Sequence, residues 1–255
     1  MDFRRNTTDY AKPRASAMPS SNARTVDAGL RAYMLRIYNY MASGLAVTGI
    51  VALVASQSPG FINAVYNLDA AGRVTGMSGL GWVLAFAPLA FIMALSFGVN
   101  KMKSSTMQMV FWAFATVMGL SMTNIFLLYT GESIARTFFV TAGAFGALSI
   151  FGYTTKKDLT GMGSFLFMGL IGIILASIVN IFLGSSTLGF AISVLGVLIF
   201  AGLTAYDTQR LKNMYHQIAG SGEAMKKAAI MGALSLYLDF INMFIHLLQF
   251  MGDRR

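Results

Sequence analysis

From residue 38 to the end, the chain alternates between long apolar runs and short polar breaks. Each run extends for about 20 residues, the length a helix needs to cross the hydrocarbon core of a bilayer. The pattern predicts helices over 38–57, 79–100, 106–129, 134–153, 164–184, 187–210 and 228–250. In lipid, backbone polar groups must be satisfied internally, so such runs are helical. A barrel would alternate apolar and polar positions over segments of about 10 residues, and no stretch does so. Residues 26–37 (VDAGLRAYMLRI) read as a short helical lead-in at the interface, and 1–30, broken by Pro13 and Pro19, as a disordered basic tail. No apolar segment of signal-peptide type follows that tail. The reading is an all-α membrane protein: a tail over 1–30 and one seven-helix domain over 31–255.

The placement of charge orients these helices. Counted on alternate sides of the seven spans, the tail and the even-numbered loops carry fifteen Lys and Arg, and the other loops only Arg73 and Arg136. The positive-inside rule then puts the N-terminus in the cytoplasm. Seven crossings leave Arg254 and Arg255 outside, against the rule. A last helix that re-enters without crossing would remove the conflict, but the rule weights early loops more heavily and favours full crossing.

Composition narrows the function. The chain is 56% hydrophobic and 11% charged, less than half the usual charged share of a soluble domain. It has no cysteine, which excludes disulfides, thiolate metal sites and cysteine nucleophiles. The formal charge of +9 is accounted for by the loops and tail, so no nucleic-acid partner is expected. Gly143, Ala147, Gly169, Gly172, Gly196, Ala201 and Gly202 are read as close-packing positions between helices.

Two carboxylates lie inside predicted spans. Each costs roughly 2.5–3.5 kcal/mol to insert at a helix centre, so such residues face the bundle interior and mark a pathway or a switch. Asp239 is near the middle of the seventh span. Asn242 at i+3 and His246 at i+7 share its helical face. Asp207 is near the end of the sixth, followed by Thr208, Gln209 and Arg210. Asn180 and Asn124 are further interior candidates. If the aspartates approach within about 4–6 Å, both cannot easily ionise and they titrate as a unit. One shared proton would hold two helices together and its loss would push them apart. Ionised, the same oxygens suit Ca²⁺.

The stretches AYDTQ (205–209) and LYLDFINMFIHLL (236–248) resemble the two C-terminal signatures of the Bax inhibitor-1, or transmembrane Bax inhibitor motif, family. GLRAYMLRIYNYMASGL (29–45) is similar to the start of its bacterial branch, and the likeness runs over all seven helices. The resemblance implies a last helix surrounded by the other six. It also implies a pH-sensitive Ca²⁺ leak governed by Asp207 and Asp239, with a basic latch at the end of the second helix. Lys101 stands at the latch position, and Arg210 is the second candidate. Lysine lacks the bidentate fork of arginine. Residues 79–99 hold no acidic residue and His246 replaces a neutral amide, two departures from the pattern.

The expectation is therefore a non-enzymatic, monomeric protein of the bacterial inner membrane. It would need no cofactor beyond transient Ca²⁺, and its partners would be lipid and cations. The alternative is a regulatory adaptor, since a bacterial branch of this family is implicated in modulating a membrane-bound protease through a tail such as 1–30. A presenilin-type protease fits poorly: Asp239 sits in LYLD rather than GxGD, and no proline lies near the last helix. A retinal protein fits poorly too, since Lys226 and Lys227 lie only at the edge of that helix.

Overall fold

The structure, a computed structural model, describes residues 21–71 and 74–255, with backbone alone over 21–27. The basic residues Arg4, Arg5, Lys12 and Arg14, the remainder of the tail before residue 21, Arg73 and the side chain of Arg24 lie outside it.

The helices are α1 (Ser21–Ser56), α2 (Pro59–Val65), α3 (Gly79–Gly98), α4 (Ser104–Ser121), α5 (Thr123–Leu128), α6 (Gly131–Thr154), α7 (Thr160–Leu183), α8 (Ser186–Ile218) and α9 (Gly222–Met251). Between α2 and α3, strands β1 (Tyr66–Leu68) and β2 (Val74–Met77) form an antiparallel hairpin. Seven of the described segments are long and apolar enough to cross a membrane, α4 and α5 together making the third. The protein is thus an all-α membrane protein with seven transmembrane helices.

Three sequence boundaries move, one of them the start of the last helix, which begins at Gly222 and not at 228 and so takes in Lys226 and Lys227. The lead-in over 26–37 is no separate helix: α1 runs unbroken from Ser21, so 21–30 is helical where the sequence placed it in the tail. Its inward residues Leu30, Tyr33, Met34 and Ile37 are buried, and that burial carries the helix past the apolar run. The sixth span likewise continues to Ile218, because Leu211 and Tyr215 stay buried at helical spacing. At 33 residues α8 is about 50 Å long, well beyond a hydrocarbon core of about 30 Å. The α2 turn and hairpin were not anticipated. Ser58 caps α2, with Pro59 in its first turn, and Ser78 caps α3 while donating to the Ala64 carbonyl (2.6 Å).

The turns also follow local chemistry. Gly184, at φ 59°, ends α7 in the left-handed region open to glycine. Ser185 then caps α8 through the Leu188 N–H.

The last helix is the most buried of the seven, at 67% of its apolar window. Its main packing partners are α1, α4, α6 and α8; α3 packs chiefly on α4, and α7 on α8. The first turns of α9 hold the α3–α4 connection: Glu223 accepts from the Ser104 N–H (2.7 Å) and Lys227 donates to the Val99 carbonyl (3.0 Å). The residues after its last turn lie on the α5–α6 connection. The Thr130 N–H donates to the Asp253 carbonyl (3.1 Å), and Arg136 pairs with Asp253 (2.9 Å). The α4–α5 span separates those two connections, so α9 runs the full length of the bundle. Arg254 sits over the Tyr129 ring (5.8 Å) and the Arg255 N–H bonds to the Leu128 carbonyl (3.0 Å), which gives the two unexpected basic residues local partners.

Candidate functional site: a carboxylate pair on an intramembrane cavity

The basic end of the bundle is tied down from α8. Gln209 accepts from the Leu159 N–H (2.8 Å) and donates to the Lys157 carbonyl (2.7 Å), bracing the α6–α7 connection. Lys212 donates to the Tyr153 carbonyl (2.7 Å). The glutamine of the AYDTQ stretch is thus a loop brace. The aspartate two residues earlier points elsewhere.

Asp207 and Asp239 line one cavity of about 990 Å³ between α3, α7, α8 and α9. Its α9 wall is Ser235, Leu238, Asp239, Asn242 and His246, a stripe at helical spacing. The facing walls are mostly apolar, from Leu89 and Ile92 on α3 to Phe167, Ile174 and Ser177 on α7. Both aspartates are nearly inaccessible, Asp207 at 8% and Asp239 at 5% exposure. The structure thus brings together the two carboxylates that the sequence singled out.

The latch candidates separate. Arg210, one turn after Asp207, pairs with it at 3.3 Å and donates to the Ser235 hydroxyl of α9 at 3.2 Å. A single guanidinium bridges α8 to α9. Lys101 is exposed in the α3–α4 connection and makes no ion pair with Asp207. The α3–α4 turn leaves its side chain off the cavity, so the cation on the pair comes from α8 itself.

Asp239 is different. Its Oδ2 is buried with no protein hydrogen-bond partner. Buried polar atoms almost always have one, and an exception calls for an explanation such as water or an ion. A cavity of this size, with a polar stripe along its α9 wall, has room for several waters, each needing about 30 Å³. Among the described residues, no group of three or more His, Asp or Glu side chains gathers to hold a metal. Ca²⁺ takes six to eight oxygens, and Arg210 already occupies one side of Asp207. Two carboxylates, one of them held by Arg210, fall short of the oxygens a resident Ca²⁺ needs.

Of the other candidates, Asn242 and His246 line the cavity and Asn180 does not. Asn242 donates back to the Leu238 carbonyl (2.8 Å). His246 stacks on Phe200 (5.8 Å, 23°) with Nδ1 buried and unpaired. A Cβ on Gly196 would come within 2.5 Å of its ring, so that glycine makes room for the imidazole. Asn180 accepts from the Ser185 N–H (3.1 Å) and braces the α7–α8 turn. Asn124 bonds through its backbone to the phenol of Tyr66 in β1, which lowers that phenol only partly against the larger upward push of burial. Of the small residues, Gly169 and Gly202 meet Ile199 and Leu166, while Gly143 and Gly172 face open space. Sequence reasoning missed Ser235 and Tyr206. Ser235 is one turn before Asp239 on the same stripe, a spacing that could have marked it.

A bundle of seven apolar helices with an acidic pair lining a cavity between four of them defines a polytopic membrane protein. The chain belongs to the Bax inhibitor-1 family, described as inhibitor of apoptosis-promoting Bax1, whose pattern matches residues 30–255. It is 50% identical over 248 residues to an uncharacterized protein of Caulobacter vibrioides, covering 97% of this chain and 99% of that one. It is 47% identical over 229 residues to the inner membrane protein YbhL of Escherichia coli, covering 89% and 94%. A membrane protein of Streptococcus pyogenes is 30% identical over 226 residues, covering 89% and 94%.

Proposed function

We propose that the protein is a pH-sensitive cation leak, with Ca²⁺ as the favoured ion, gated by Asp207 and Asp239. The observation that carries this reading is the pair itself: two nearly inaccessible carboxylates on adjacent helices, facing one cavity, with one oxygen unpartnered. A proton shared across the pair lets α8 and α9 stay together, with Arg210 bridging them. Loss of that proton leaves two like charges in a region of low dielectric. They push the helices apart and attract a cation into the cavity. The conduit is passive, non-enzymatic and monomeric. The similarity to an inner membrane protein of a bacterium supports the same location here, with the basic end in the cytoplasm.

The test is Ca²⁺ influx into dye-loaded liposomes between pH 6 and 8. Wild type leaks faster at pH 8 than at pH 6, and Asp239→Asn loses that difference. Wild-type vesicles no leakier than empty ones would sink the reading and leave the regulatory, adaptor-type alternative in its place.

A further inference from the structure

Next to the intramembrane cavity lies a second, smaller one of about 210 Å³, lined by Thr160, Gln209, Asn213, Met214 and Gln217. It is at the basic end, where α7 begins, and most of its lining residues are polar. The two cavities share two lining residues, Tyr206 and Arg210. Those two form one unit. The guanidinium lies 5.8 Å from the Tyr206 ring centroid while it holds Asp207 and Ser235. The ring in turn is pressed against α7 at Gly163, where any Cβ would overlap it. The half-buried Tyr206 ring thus fills the space between α8 and α7 where the two cavities adjoin, with a positive charge beside it.

We infer that Tyr206 and Arg210 are the barrier that separates the intramembrane cavity from a polar exit vestibule formed by Gln209, Asn213 and Gln217. This rests on the cation-leak reading for its purpose, but the barrier itself can be tested without ion flux. A cation crossing here leaves the carboxylates, passes the ring, and regains amide oxygens and water in the vestibule. Arg210 couples the two events, because the side chain that braces the ring also pairs with Asp207.

The chain has no cysteine, so single cysteines report without background. Ser177→Cys places a near-isosteric thiol on the intramembrane cavity, and Asn213→Cys places one in the vestibule. Membrane vesicles with the basic end outward are treated with an impermeant cationic methanethiosulfonate reagent. Asn213→Cys is labelled, which also verifies vesicle orientation. Ser177→Cys is labelled slowly with Tyr206 intact or as Tyr206→Phe, and at least about tenfold faster with Tyr206→Ala, a barrier change of about 1.4 kcal/mol. Tyr206→Val, which keeps apolar bulk against α7, gives a smaller acceleration and carries the test if the alanine variant does not fold. Equal Ser177→Cys labelling with and without the ring, in folded protein, overturns the proposal: fast in both means no barrier, slow in both means a barrier elsewhere. Ring-dependent labelling without ion flux would retain the barrier and remove the leak.

Discussion

On the α1 and α4 side of α9, Thr48 donates to the Ala115 carbonyl (2.9 Å), which leaves Tyr237 to donate to Thr48 (2.7 Å). The Tyr237 ring meets Phe114 edge-on (5.2 Å, 70°) and Phe111 likewise (6.4 Å, 81°). Two residues on, Asp239 turns to the other side and finds a cavity, with one oxygen unpartnered. The same helix is thus packed like a soluble core along one face and presents a polar stripe to a largely apolar cavity along the other. The closed face anchors α9, so the open face can change its charge without the helix losing its place. Stability and response are divided between two faces of one helix.

The largest effect that would break this division is on the closed face. Tyr237→Ala should lower stability in lipid by about 3–5 kcal/mol, the usual range for removing a buried aromatic, while leaving the pH profile of flux unchanged in surviving protein. Thermal melting with the flux assay checks both. Tyr237→Phe isolates the hydroxyl and should cost only about 0.6 kcal/mol, the average for such bonds in membranes. If Tyr237→Phe reshaped the pH profile, the two faces would not be separable.

On the open face, Arg210→Gln should raise leak at pH 6 about tenfold, the equivalent of about 1.4 kcal/mol, because the α8–α9 bridge is gone. The ion pair itself is worth less than a fully buried one, since the guanidinium side chain is 42% exposed. Lys101→Gln should leave leak unchanged. The opposite ranking would return the latch to the α3–α4 connection.

A smaller effect is expected at the far end of the stripe. Gly196→Ala introduces about 1–3 kcal/mol of overpacking strain, relieved by turning the His246 ring into the cavity. Flux should fall roughly fivefold, about 1 kcal/mol, with its pH dependence intact. Unchanged flux would mean that the ions do not pass His246.

The smallest effect concerns a carboxylate off the cavity. The Thr160 hydroxyl and N–H hold the Asp158 carboxyl below the usual carboxylate range. A depressed value contributes stability above the usual range, lost only as pH falls through the lowered value. That window is far below pH 6, so Asp158→Asn should leave the flux profile from pH 6 to 8 superimposable on wild type. Any shift there would mean that the pH response is not confined to the cavity.

Much of this was legible in the sequence because lipid imposes a simple rule. Seven apolar runs became seven helices, and the two aspartates stood out because a carboxylate is costly in that setting. What stayed hidden depended on side-chain direction and helix offset. Nothing in the apolar pattern says that Tyr237 is a hydrogen-bonded anchor and not filler. Lys101 and Arg210 carry the same charge, and only the geometry at Asp207 distinguishes them. Asn180 sits in an apolar run as Asn242 does, but it lies one turn from a tight corner whose backbone claims its oxygen. The hairpin at 66–77 was invisible because its strands are only three and four residues long.

The most direct test of the coupled pair is a double-mutant cycle on Ca²⁺ flux at pH 6, 7 and 8, comparing wild type, Asp207→Asn, Asp239→Asn and the double variant. The account predicts that either single substitution flattens the pH dependence and that the double adds nothing further, a coupling well outside the about 0.3–0.5 kcal/mol of independent sites. Strictly additive effects, with a pH dependence that survives in either single variant, would contradict it.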